Sequence, residues 1–255
     1  MQQLRLFFIA LQFFTRLPIP RWVGFEPQWQ HHASRYFPAV GLVVAGITGG
    51  VYALAALVLP PAVAVLLSTV AGIYATGAFH EDGFADTCDG LGGGYTRERA
   101  LEIMKDSRIG AYGAIGIGLM LAVKCASLAA LPKYAALGAL LAAHPLSRLF
   151  SCALIWRMDY AREQGKAKPL AQEMRNGEFA IATLTAILPA ALVLHLGWLE
   201  PRALAIGVAG MLLATIWMAR LLQRRLGGYT GDCLGAVQQL SEAVFYLGVL
   251  ACVWN

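Results

Sequence analysis

Seven stretches of this chain are long and apolar enough to cross a lipid bilayer: residues 40–59, 61–79, 111–131, 133–156, 179–199, 201–219 and 234–254. About 20 apolar residues in a helix cover the roughly 30 Å of hydrocarbon. Backbone amides have no water to bond there, so such segments fold as helices. Pro60-Pro61 separates the first two, because proline cannot continue a helix ladder. A further apolar segment, 4–14, is flanked by Arg5 and Arg16 and is too short to span. It reads as an interfacial or re-entrant helix, and without a small-residue cleavage site it does not read as a signal peptide. Composition agrees: 58% of the residues are apolar and 14% charged, against about 45–50% and about 25% in soluble domains. A soluble globular domain and a disordered chain are both excluded. The expected fold is all-α, a polytopic transmembrane helical bundle of about seven spans plus a short N-terminal surface helix. No repeat, linker or low-complexity tract divides it, so residues 1–255 form one integral membrane domain.

The charge pattern sets the orientation. The net charge is +5, from twenty Lys and Arg against fifteen Asp and Glu. Sixteen of the basic residues fall on the side of the N-terminus, in the leader and in the loops 80–110, 157–178 and 220–233; only Lys133 and Arg202 fall on the other. That asymmetry puts the N-terminal side in the cytoplasm. The basic excess therefore reads as orientation, not as affinity for nucleic acid. Arg162, Lys166 and Lys168 belong to this excess, as do Arg220, Arg224 and Arg225. Seven spans leave the C-terminus on the outer side. The five cysteines form no CxxC pair, which argues against a disulfide scaffold or zinc site.

The carboxylates are concentrated too. Seven of the fifteen lie in the loop 80–110, an expected cytoplasmic active-site loop: Glu81, Asp82, Asp86, Asp89, Glu98, Glu102 and Asp106. If the second span continues as a helix, Asp82, Asp86 and Asp89 stand at i, i+4 and i+7 and share one face. Like charges so placed repel, so a cation between them is expected. Oxygen ligands without Cys or His suit Mg²⁺, Mn²⁺ or Ca²⁺; the bland alternative is an acidic cap in water. Gly83, Ala85, Gly90, Gly92, Gly93 and Gly94 would let phosphates approach the backbone. Downstream, Arg108 can clamp a phosphate and Lys105 can add a point charge, unless both are simply orientation charges. Asp106 could be a further ligand or a general base, and His80, which borders the site, is more simply structural. A second polar cluster precedes the last span, where Thr230 or Asp232 can cap the helix and the amides around Gly231 can form a phosphate nest. Within the spans, Lys124, His144, Arg148 and Glu242 are ionisable, and a structural ion pair of Glu242 with Arg148 or Lys124 is the simplest use of them.

The block His80-Glu81-Asp82-Gly83-Phe84-Ala85-Asp86-Thr87-Cys88-Asp89-Gly90 resembles the signature of the cobalamin synthase family, the adenosylcobinamide-GDP ribazoletransferases. So do Met104-Lys105-Asp106-Ser107-Arg108-Ile109-Gly110, the N-terminal Phe14-Thr15-Arg16-Leu17-Pro18-Ile19-Pro20 and the late Gly231-Asp232-Cys233-Leu234-Gly235. The resemblance runs from residue 12 to about 245 and implies a bacterial inner-membrane enzyme of cobalamin biosynthesis. Its reaction would join adenosylcobinamide-GDP to α-ribazole, or to α-ribazole 5′-phosphate, with release of GMP and with Mg²⁺ as cofactor. By position, Glu81, Asp82, Asp86 and Asp89 would hold metal and diphosphate. Lys105 and Arg108 would hold phosphate oxygens, Thr230, Gly231 and Asp232 would close the site, and Asp82, Asp106, Arg108 and Asp232 would carry the chemistry. Expected partners are these substrates, the bilayer, and a homo-oligomer or a complex with other cobalamin-assembly enzymes. One rival is a CDP-alcohol-type phosphotransferase, against which the missing Ala-Arg after Gly90 argues. The other is a cation-coupled carrier, which would place its carboxylates near the bilayer midplane.

Overall fold

The structure, a computed structural model, describes residues 1–24, 26–162, 170 and 172–254, with the backbone alone at residues 27 and 28. Lys166 and Lys168 lie outside the described residues. Those residues form α1 Gln2–Phe14, α2 Pro27–Ala33, α3 Phe37–Ala55, α4 Pro61–Thr76, α5 Phe79–Gly93, α6 Arg97–Ile103, α7 Ala111–Ala129, α8 Lys133–Arg157, α9 Asn176–His195, α10 Pro201–Leu226 and α11 Gly231–Trp254. The all-α expectation holds; the described residues contain no strand, only one isolated bridge between Tyr160 and Tyr229.

Local chemistry explains the boundaries. Pro27, Pro61 and Pro201 occupy first-turn positions, where a missing N–H leaves no bond unmade. α10 runs to Leu226, past the apolar stretch that ends near 219, because Leu222 and Leu226 continue a buried stripe through the arginines. Gly227 ends it in the left-handed region at φ +72°. Arg97 caps the same end, its Nε donating to the carbonyl of Leu226 at 2.7 Å. Arg225 donates to the carbonyls of Leu91 and Gly94 at the end of α5. Both arginines thus satisfy helix C-termini as well as contributing orientation charge.

Among the described residues, six helical segments are long and apolar enough to cross a membrane alone; α4 and α5, bent by 89° at the break between them, bring the number to seven when the pair counts as one broken span. α8 and α11 form the centre of the bundle, whereas α7, α9 and α10 leave most of their apolar surface outward, as lipid contact requires. The interior has two apolar clusters. One gathers Phe14, Phe37, Met104, Ile155, Leu226 and Leu234 at the N-terminal side; the other gathers Tyr52, Val65, Leu131, Ala135, Leu199 and Val249 at the far side. Between them lies a polar layer centred on Glu242, which is fully buried. Lys124 Nζ stands 2.6 Å from its Oε2, and His144 Nδ1 and Arg148 Nη1 stand 2.7 and 3.9 Å from its Oε1. Glu242 therefore meets both partners the sequence offered, and His144 as well.

The helix break at the acidic segment departs from expectation. The second span does not run on into it. The chain turns at Gly77 and Ala78, both left-handed at φ +66° and +60°, and restarts as α5. The left-handed backbone at Gly77 favours glycine, and a Cβ there would also have to displace the Arg16 guanidinium, whose Nε would lie 2.7 Å away. The acidic segment 80–110 is accordingly two helices, α5 and α6, and not a loop. With 15 residues and four carboxylates, α5 is too short to span alone and packs chiefly against α11 and α7.

Candidate active site at the membrane rim

α5 and α11 cross at glycines. A Cβ on Gly83 would lie 2.8 Å from the carbonyl oxygen of Asp232, and one on Gly235 would lie 3.0 Å from that of His80. This contact lays the α5 carboxylates beside the first turn of α11. Asp82, Asp86 and Asp232 line one cavity of about 520 Å³, with Lys105, Asp106 and Ser107 from the α6–α7 connection and Tyr160 and Arg162 from beyond α8. Phe13 and Phe79 form an apolar wall, and Gly231 sits at the rim. Burial pushes the Asp86 carboxyl up to about 7, reinforced by Asp82 and Asp232 and opposed by Arg162. A site whose own carboxylates resist ionisation is short of positive charge.

Thr230 caps α11 as expected: its Oγ1 accepts from the amide of Cys233 at 3.4 Å and donates to Asp232 Oδ2 at 3.2 Å. Arg162 Nη1 meets the same Oδ2 at 2.9 Å. The strand-like pairing that fixes Arg162 is local. The amide of Tyr229 donates to Asp159 at 3.0 Å, and that of Ala161 donates to Tyr229 at 2.8 Å.

Other expected site residues fall elsewhere. Asp89 does not line this cavity. Its Oδ2 accepts from Gly110 at 2.7 Å and its Oδ1 from Gly113 at 2.8 Å, so it caps α7. Glu81, 100° around the helix from Asp82, turns toward the polar layer and accepts from Gln239 Nε2 at 2.8 Å. Asp106 chelates Arg108, with Arg108 Nε and Nη2 at 3.0 and 2.6 Å. Those bonds hold the Asp106 carboxyl down at about 2. The Arg108 side chain is 87% exposed and borders a neighbouring open hollow of about 830 Å³, with Arg99, Glu102 and Tyr112. Lys105 is exposed and borders both hollows. His80 is buried and stacks on Phe14 at 5.3 Å, a packing role.

The donor set around Asp82, Asp86 and Asp232 is all oxygen and fits a hard divalent cation. Among the described residues, no three His, Cys, Asp or Glu side chains converge as a metal cage. Mg²⁺ does not demand one, since one or two carboxylates hold it while phosphates and water complete the shell. Sequence reasoning missed Arg162 as a site residue. It carries no spacing signal and was indistinguishable from the orientation charges around it.

Residues 6–250 match the model of the CobS family, cobalamin-5-phosphate synthase. Three proteins named adenosylcobinamide-GDP ribazoletransferase are similar over nearly their whole lengths. That of Leptothrix cholodnii is 49% identical, covering 98% of this chain and 96% of that protein. That of Shewanella frigidimarina is 46% identical with the same coverage, and that of Ralstonia pickettii 43% over 95% of this chain and 93% of that protein. No solved structure matches the chain. With the match spanning every helix that builds the rim cavity, the chain belongs to the cobalamin-5-phosphate synthase family.

Proposed function

We propose that this protein joins adenosylcobinamide-GDP to α-ribazole, or to α-ribazole 5′-phosphate, giving adenosylcobalamin or its 5′-phosphate and GMP. The observation that carries the reading is the gathering of Asp82, Asp86, Asp232 and Arg162 in one rim cavity of a chain that belongs to this family. A ribose hydroxyl that is free in both acceptors, and so not the 5′-hydroxyl, attacks the phosphorus nearer cobinamide; the new P–O bond forms, the bond to GMP breaks, and the hydroxyl gives up its proton. Mg²⁺ bound by Asp82 and Asp86, with Asp232 across the cavity, would neutralise the diphosphate and the departing phosphate. Asp106, held down at about 2 by Arg108, is a poor acceptor for the hydroxyl proton. That proton therefore falls to the α5–α11 carboxylates. Phe13 and Phe79 wall the site on one side, and Lys105 and Arg108 draw the anionic substrate toward it from the neighbouring hollow.

The sixteen-to-two distribution of basic residues supports placing this cavity on the cytoplasmic face of the inner membrane. The test is incubation of the purified protein in nanodiscs with adenosylcobinamide-GDP, α-ribazole and Mg²⁺, with detection of GMP and the joined corrinoid. Asp82→Ala and Asp86→Ala should nearly abolish both products in protein that still inserts. Absence of GMP from the wild type, with CDP-activated lipid accepted in its place, would overturn the reading.

A further inference from the structure

We propose that Arg162 holds the diphosphate of the nucleotide-activated substrate, exchanging its contact with Asp232 for phosphate oxygens when substrate binds. The inference rests on the transferase reading of the same cavity and assigns the anion contact within it. A guanidinium offers five N–H donors in a rigid fork that matches phosphate oxygens. Arg162 uses Nη1 on Asp232, while its Nε and Nη2 are buried and have no acceptor. A buried, charged donor without a partner is a standing deficit that an anion can relieve. The side chain is only 11% exposed and lines the carboxylate cavity. The backbone just before it is pinned by the pairing of Asp159 and Ala161 with Tyr229, and the contact with Asp232 holds the fork in the cavity before any ligand arrives.

Two features make the exchange workable. Thr230 donates to the same Oδ2 of Asp232, so that oxygen keeps a donor when Arg162 leaves it. A divalent cation recruited by Asp82, Asp86 and Asp232 compensates the carboxylate that Arg162 gives up. Arg108 suits the part less well, because Asp106 already fills its fork in an exposed position where water screens both.

The test is equilibrium dialysis of adenosylcobinamide-GDP against the detergent-solubilised full chain in EDTA, so that affinity is read without turnover or metal. Arg162→Gln should weaken binding on the order of 100-fold, the loss of two charge-assisted contacts. Arg162→Lys should recover part of it, and guanidinium ion should restore binding to Arg162→Gly, which a merely structural loss would not allow. Asp232→Asn should tighten binding in the wild-type background and do so much less with Arg162→Gln. At saturating Mg²⁺, KM for adenosylcobinamide-GDP should rise in Arg162→Gln while KM for α-ribazole stays constant. Wild-type binding with an unchanged affinity in Arg162→Gln overturns the assignment alone. No binding by the wild type, in EDTA and with Mg²⁺ alike, overturns the transferase reading and this assignment together.

Discussion

Replacing Asp89 distinguishes a helix cap from a metal ligand. The carboxylate accepts two backbone N–H groups at the start of α7, at 2.7 and 2.8 Å. Hydrogen bonds to a charged group contribute about 1.5–3 kcal/mol each, and a negative charge at a helix N-terminus adds about 0.3–1 kcal/mol. Asp89→Ala should therefore cost about 3–7 kcal/mol, and Asp89→Asn, which keeps one acceptor oxygen, about half. The fit is tight enough to supply a second handle. A Cβ on Gly113 would lie 2.3 Å from Asp89 Oδ2, so Gly113→Ala must push the carboxylate aside. In an Asp89→Ala background most of that collision is gone, leaving the 2.9 Å approach to the Ala85 carbonyl. The double variant should therefore show coupling of about 1–3 kcal/mol. The assay is thermal unfolding in nanodiscs, where a loss of this size lowers the midpoint by about 6–28 °C in a chain of this length. A parallel Mn²⁺ titration on folded Asp89→Asn protein should find affinity close to wild type. An Asp89→Ala protein that melts like wild type, or an Asp89→Asn protein that melts normally but no longer binds Mn²⁺, would refute the capping argument.

Three further outcomes follow from the same structure. Asp86 is raised from 3.8 to about 7, so protons and metal compete for it near neutrality: Mn²⁺ affinity should climb with pH up to about 7 and flatten above, activity lost in EDTA should return with Mg²⁺, and a flat wild-type pH profile would count against Asp86 as a ligand. In the polar layer, Lys124→Met leaves Glu242 under-compensated and should cost about 3–5 kcal/mol, more than Lys124→Met combined with Glu242→Gln; strictly additive losses in thermal melts would show that the two residues do not form a functional pair. Reporters fused at the two ends of the chain should report opposite sides of the membrane, whereas a shared side would mean that α4 does not cross.

The hydrophobic pattern made the bundle legible because the bilayer imposes a length and a polarity on each spanning helix, and neither depends on neighbours. Its limit is visible at α5. Spacing of 82, 86 and 89 fixes azimuth and rise along a helix, but not which neighbouring element each height meets. Asp89 stands about 10 Å further along the axis than Asp82, far enough to meet α7 instead of the cavity. The same rule separates Glu81 from Asp82 by 100°, so its departure from the face of Asp82 was readable from the wheel, whereas its partner Gln239 was not. The 89° corner was not, because Ala78 adopts a left-handed conformation that its residue type disfavours and that only packing enforces.

Positive charge is the harder case. The excess of Lys and Arg on one side is a property of the whole chain, and every arginine there fits it equally well. What separates them is what each guanidinium touches. Arg97 and Arg225 close helix ends, and Arg108 is chelated by Asp106 in solvent. Arg162 alone of these four lines the carboxylate cavity, and it keeps two buried donors unmet. Orientation needs a charge on the correct side of the membrane and nothing more, so it gives no reason to bury one beside three carboxylates. The desolvation that such burial entails is intelligible when the cavity receives an anion of its own.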